Sequence, residues 1–210
     1  MVRVKICGIT SPADAAAAAD AGADAVGLVF AESPRRVTPA RARAIVAELP
    51  PFVAAVGVFV NASPDDILRA ADELNLAAVQ LHGDEPPNLA EYLRARSDGR
   101  IALIKAFRPR DPRGLAPLRD FPADAMLLDG WNDRARGGTG AKADITLARR
   151  AAKMIPRLIL AGGLTPANVA ATVRAVRPWA VDVSSGVERS PGRKDAAHMK
   201  RFVANAKRGT

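Results

Sequence analysis

Eight short runs of aliphatic and β-branched residues alternate with eight segments of helical period from one end of the chain to the other. One strand–helix pair recurs roughly every 26 residues, and nothing long is inserted between pairs. Strands are predicted at 3–7, 25–29, 54–60, 77–81, 101–106, 125–129, 158–161 and 180–183, and helices at 12–21, 38–48, 64–74, 86–96, 113–119, 144–153, 166–175 and 195–206. Ser11-Pro12, Thr38-Pro39, Ser63-Pro64 and Thr165-Pro166 each set a capping hydroxyl before a proline suited to the first helical position. A strict strand–helix alternation builds a parallel sheet. Eight even units favour an α/β fold closed into a (βα)8 TIM barrel, with an open doubly wound sheet as the alternative.

The chain has 210 residues, enough for one well-buried core and short for two, so a single catalytic domain over 1–210 is expected. Aromatics make up only 4% of it, so the core rests on Ala, Val, Leu and Ile. One cysteine rules out an internal disulfide framework and a thiolate metal cluster, which fits a reducing, cytoplasmic setting. No signal-peptide pattern opens the sequence and no apolar run approaches the roughly 20 residues that span a bilayer, so no membrane partner is expected. The net charge of +9 is spread along outer helix faces without interleaved aromatics. That distribution suits a solvated surface with some attraction for anionic metabolites, and nucleic acid is not an expected partner.

A closed barrel carries its chemistry at the carboxyl ends of its strands. The residues there are Cys7-Gly8, Ser33-Pro34-Arg35-Arg36, Asn61, His82-Gly83-Asp84, Arg108, Asp129-Gly130, Gly162-Gly163 and Ser184-Ser185-Gly186. Along the first strand, Val4 and Ile6 share one face and Arg3, Lys5 and Cys7 the other. Cys7 and Asp129 end strands three apart around an eight-strand ring, so a thiolate base and a carboxylic acid can face one ligand. A lone cysteine on a strand is more often a small buried apolar residue, whereas a carboxylate after Ala125-Met126-Leu127-Leu128 must be solvated, paired or functional. Gly162, Gly163, Ser185 and Gly186 lie after the seventh and eighth strands, where backbone N–H groups can cradle a phosphate, although a glycine pair also simply turns a chain.

Lys5 and Asp182 point inward from strands that become neighbours on closure, so they are expected to pair, with the lysine lowering the Cys7 pKa. Arg35, or its neighbour Arg36, suits bidentate recognition of a carboxylate. His82 suits a base, a substrate contact or a hydrogen-bonded structural role. His198 lies in the last helix, and without a carboxylate cluster at ligand spacing no metal site is expected. Gly137-Gly138-Thr139-Gly140 lacks the ending of a P-loop and reads as an active-site loop.

Lys5-Ile6-Cys7-Gly8-Ile9-Thr10, Gly27-Leu28-Val29-Phe30, Ser33-Pro34-Arg35, Val56-Gly57-Val58-Phe59-Val60-Asn61, Val79-Gln80-Leu81-His82-Gly83, Leu127-Leu128-Asp129, Gly137-Gly138-Thr139-Gly140, Ala161-Gly162-Gly163-Leu164 and Val181-Asp182-Val183-Ser184-Ser185-Gly186-Val187-Glu188 together resemble the phosphoribosylanthranilate isomerase family of tryptophan biosynthesis, over essentially the whole chain. The resemblance implies an Amadori rearrangement of a phosphorylated small-molecule substrate, without a cofactor, because the substrate's own imine takes the electrons. It implies Asp129 as general acid at the ring oxygen, Cys7 as base at C2′, Arg35 near the anthranilate carboxylate, and Gly162, Gly163, Ser185 and Gly186 at the phosphate. His82 is a possible further substrate contact, and either a monomer or a homodimer is compatible with the sequence. One departure is visible: Ala143-Asp144-Ile145 keeps only the Asp of an aromatic-Asp-Trp pattern common after the Gly-Gly-Thr-Gly segment.

Overall fold

A computed structural model describes residues 1–109, 111–130 and 145–209. The Gly137–Gly140 segment, the departure at Ala143-Asp144 and the predicted helix start at residue 144 lie outside the described residues. Eight parallel strands close into a barrel in chain order: β1 (Arg3–Cys7), β2 (Ala25–Val29), β3 (Ala54–Phe59), β4 (Ala78–Leu81), β5 (Ala102–Phe107), β6 (Ala125–Leu128), β7 (Leu158–Leu160) and β8 (Ala180–Val183). The ring is sealed by β1 against β8, where Lys5 lies level with Asp182. The alternative of an open sheet is thereby excluded.

The sequence's strand–helix rhythm appears as α1 (Pro12–Asp20), α2 (Pro39–Ala47), α3 (Pro64–Glu73), α4 (Pro87–Arg96), a 3-10 helix at Pro112–Leu118, α5 (Ile145–Met154), α6 (Val169–Val176) and α7 (Ala196–Arg208). Three predicted caps form: Ser11 accepts the N–H of Asp14 at 3.1 Å, Thr38 that of Arg41 at 3.2 Å and Ser63 that of Asp66 at 3.1 Å. The fourth does not. Asn168 accepts the Thr165 N–H and donates to Gly163 O, both at 2.8 Å, so residues 165–168 form a turn and α6 starts at Val169 rather than at 166. The helix predicted at 113–119 is a 3-10 element instead, because Gly114 weakens an α-turn and Pro117 has no N–H to donate. A short hairpin, β9 (Glu188–Ser190) with β10 (Arg193–Lys194), follows the 3-10 turn at Ser185–Val187 and was not foreseen. No helix among the described residues is long and apolar enough to cross a membrane.

Outward strand residues such as Val4, Ile6, Val26 and Leu28 pack with Ala15, Ala18, Ile45 and Phe202 of the helices. Each large aliphatic side chain buried there contributes about 1.5–3 kcal/mol. The barrel interior holds smaller residues, including Val56, Ala78, Ala106, Ala125 and Ala161. That bore also holds polar side chains: Lys5, Gln80 and Asp182 are all buried. Lys5 donates to Asp182 at 2.8 Å, forming the pair expected from the register.

Candidate active site

At the carboxyl ends of the strands lies a cleft of about 870 Å³, its open mouth included. Cys7, Arg35, His82, Asp129, Gly162, Gly163, Ser185 and Gly186 all line it. Arg36 does not. Its N–H donates to Ser33 O at 3.0 Å, the Val37 N–H next to it donates to Val29 O at 2.9 Å and its side chain is exposed, so of the two arginines only Arg35 lines the cleft.

Cys7 ends β1 and is only 9% exposed. It fits because position 27 is glycine: a Cβ there would stand 2.7 Å from the sulfur. The next residue, Gly8, has φ +73°, and a Cβ on it would strike the Arg35 side chain at 2.5 Å. Two glycines therefore clear the space in which thiol and guanidinium approach the cleft.

The expected lowering of the Cys7 pKa is not found. Burial pushes the thiol up, Lys5 and Lys194 pull it down, and Asp182 opposes them, leaving the thiol above its ordinary value. Lys5 is neutralised by its own partner, so burial prevails.

Arg35 turns one edge of its fork to Glu188, Nε to Oε1 at 2.8 Å and Nη2 to Oε2 at 2.7 Å. Lys194, fully buried, donates to the same Oε1 at 2.8 Å and to the Ser184 carbonyl at 3.2 Å. Two cations against one carboxylate leave this corner with an excess positive charge, and Arg35 keeps its Nη1 N–H groups. Burial pushes the Glu188 carboxyl up, but Arg35 and Lys194 hold it below the usual carboxylate range.

Asp129 follows β6 and is 8% exposed. Arg108, at the end of β5, donates to its Oδ2 from Nε at 3.2 Å, and His82 Nε2 stands 3.5 Å from the same oxygen. Burial pushes this carboxyl up, the His82 edge and the Arg108 charge pull it down, and the balance lies below the ordinary carboxylate value. Behind His82, Glu85 accepts the N–H groups of Asn61 and Gly83 and pairs with Lys105 at 2.6 Å. A Cβ on Gly83 would collide with Asn61 Oδ1, so this crossing of loops is rigid.

Gly162 and Gly163 have φ of +85° and +63°, conformations that L side chains rarely adopt. A Cβ on Gly186 would lie 1.9 Å from Leu164 O, so the loops after β7 and β8 meet backbone to backbone. Three walls are thus present: a thiol beside a cationic corner, a carboxylate beside an arginine and histidine, and a glycine-rich rim.

The model of the family described as N-(5'phosphoribosyl)anthranilate (PRA) isomerase matches residues 4–205. This chain belongs to that family. It is 52% identical over 208 residues to the N-(5'-phosphoribosyl)anthranilate isomerase of Geobacter sulfurreducens, covering 99% of each chain. The crystal structure of phosphoribosyl anthranilate isomerase from Thermotoga maritima superposes with a TM-score of 0.90 at 45% identity, covering 99% of both chains. Another isomerase structure, in complex with reduced 1-(o-carboxyphenylamino)-1-deoxyribulose 5-phosphate, gives a TM-score of 0.87 at 44% identity, covering 99% of both chains.

For a member of this isomerase family the sequence reading left out four polar neighbours of the site. Arg108 stood among the strand-end residues without a role, Gln80 and Glu188 sat in motifs without a partner, and Lys194 was passed over. Only Gln80 carried a readable signal: inward register on a strand, two residues before a mouth histidine.

Proposed function

We propose that this chain, as one catalytic domain over residues 1–210, carries out the Amadori rearrangement of N-(5-phosphoribosyl)anthranilate to 1-(2-carboxyphenylamino)-1-deoxyribulose 5-phosphate in the cytoplasm. The observation that carries the reading is the shared cleft of Cys7 and Asp129, with a cationic corner and a glycine-rich rim around it. Asp129 gives a proton to the furanose ring oxygen as the C1′–O bond breaks, and the anilino nitrogen's lone pair forms the iminium. Cys7 thiolate then takes the C2′ proton, and the C–H electrons neutralise the iminium to give an enolamine. Protonation at C1′ and loss of the enol proton complete the ketose and restore both groups. Electrons move only within the substrate, so the steps need no redox cofactor.

The resting charges explain the division of labour. At neutral pH the pair holds one proton, which the geometry keeps on sulfur rather than on Asp129. The productive form carries the same proton on the carboxyl, so reaching it is a transfer within the pair and not an uptake from solvent. Arg35 offers its Nη1 edge to the anthranilate carboxylate. Gly162, Gly163, Ser185 and Gly186 offer backbone N–H groups to the phosphate.

The test is loss of anthranilate-type fluorescence on turnover of the phosphoribosyl substrate. Wild type is expected to turn over, and Cys7→Ala and Asp129→Asn each to lose about a thousandfold in kcat, within the range of general acid–base groups, while reduced product still raises their melting midpoints. Wild type without turnover contradicts the proposal. For assembly, a relative is described as a dimeric isomerase from Thermotoga maritima, and here Phe52, before β3, is 97% exposed. We read this chain as a homodimer through that face; a monomeric mass in sedimentation would contradict it.

A further inference from the structure

Gln80 lies on β4, between Val58 and Ile104 of the flanking strands, and is completely buried. Its side-chain amide reaches His82 Nδ1 at 2.6 Å. On the other edge of that ring, Nε2 stands 2.5 Å from Arg108 Nη2, far closer than its 3.5 Å to Asp129. A guanidinium can only donate. Nε2 must therefore present its lone pair, and a neutral imidazole then carries its proton on Nδ1. Nδ1–H needs an acceptor, which on Gln80 is the amide oxygen.

A second observation leads to the same orientation independently. With the amide nitrogen toward His82, Gln80 Oε1 is buried with no hydrogen-bond partner among the described residues. Turning the amide end for end gives Nδ1–H its acceptor and takes the carbonyl oxygen away from a place where nothing donates to it. The backbone next to the ring is held as well: Glu85 accepts the Gly83 N–H, and Lys105 Nζ donates to Gly83 O at 2.8 Å.

We propose that Gln80 and a neutral His82 form a hydrogen-bond relay of fixed polarity that anchors Arg108 against Asp129, making Gln80 a positioning residue for the acid. Donors run one way: Arg108 to His82 Nε2, and His82 Nδ1 to the Gln80 oxygen. Among the described residues, the groups facing Asp129 are then His82 from the end of β4, offering no proton, and Arg108 from the end of β5, offering its charge. The Arg108 charge helps to keep the resting carboxyl ionised. The proposal rests on the isomerase reading only for the name of what Asp129 does.

The decisive experiment is nitrogen-15 NMR of the full chain labelled at histidine, near pH 7, with His198→Gln used to assign the two rings. Nδ1 protonated and Nε2 bare is the expected result; an Nε2–H tautomer or an imidazolium at His82 overturns the relay. Arg108→Met removes the donor that locks the ring and should let the Nε2–H tautomer appear, whereas an unchanged ring would contradict the lock. Gln80→Met should lower kcat about tenfold, leave KM within about twofold and move the acid limb of kcat/KM to higher pH; an unmoved limb in a protein that melts normally counts against the relay. Wild-type turnover on the same sample separates the two readings. Full activity with the wrong tautomer overturns the relay alone, and the expected tautomer without turnover overturns the isomerase reading alone.

Discussion

The two walls of the cleft solve opposite electrostatic problems with similar parts. On the β1–β8 wall, Cys7 has Lys5 and Lys194 nearby, yet each lysine is engaged by its own carboxylate, Asp182 and Glu188. Burial then decides, and the thiol stays protonated. On the β4–β6 wall, the His82 edge and the Arg108 charge, whose only carboxylate partner among the described residues is Asp129, outweigh burial and the acid rests ionised. A cation beside a reactive group is therefore a poor guide to its pKa until the cation's own partner is known.

Perturbing both walls at once gives the largest effect and sharpens the comparison most. Cys7→Ala/Asp129→Asn should lose about a thousandfold in kcat, little more than either single change, because groups that pass one proton act as a unit. Multiplicative losses would show two independent sites. Next comes the charge balance of the cationic corner. Glu188→Leu strands the buried Lys194 and should cost about 3 kcal/mol. For a chain of this size that lowers the melting midpoint by about 6–12 °C, and a change under about 2 °C would break the picture of Glu188 holding the buried lysine.

How much of this was legible in the sequence follows from the range of each interaction. Period, caps and strand-end position are local, so the barrel, the Lys5–Asp182 level and a longer set of strand-end candidates could be read from spacing, and the family resemblance narrowed that set to Cys7, Arg35, His82, Asp129, Gly162, Gly163, Ser185 and Gly186. The Arg35–Glu188 clamp joins residues 153 positions apart through an unforeseen hairpin, so no periodicity announces it. The sign of the Cys7 shift was misread because it is the balance of burial against three charges, which the sequence does not weigh. Thr165 failed as a cap because its own N–H is taken by the Asn168 side chain, which folds residues 165–168 into a turn ahead of the helix.

On the acid wall, Arg108→Met removes a cation held against Asp129, so the Asp129 pKa should rise. The low-pH limb of kcat/KM, which reports free-enzyme groups, should then move upward by about one pH unit, and an unmoved limb would relieve Arg108 of its role. Glu85, Asp129 and Glu188 all have folded pKa values below their ordinary ones. Their contribution to stability is full above the usual carboxylate range and lost as pH falls through the folded values, which acid titration of the melting midpoint would follow.

The smallest effect belongs to the thiol wall. Lys5→Met removes one counter-charge and leaves Asp182 beside the sulfur, so alkylation of Cys7 at fixed pH should slow severalfold. Lys5→Met/Asp182→Leu removes both opposing charges and should recover part of that rate. Equal rates in the two variants would mean that Asp182 does not act on the thiol.

The most direct measurement is a crystal structure of this chain with reduced 1-(o-carboxyphenylamino)-1-deoxyribulose 5-phosphate. The Cys7 sulfur should lie against C2′ and the Asp129 carboxyl against the oxygen derived from the sugar ring, with the phosphate on the loops after β7 and β8. A ligand that touches only one of those two side chains, or that sits outside their shared cleft, would contradict the account.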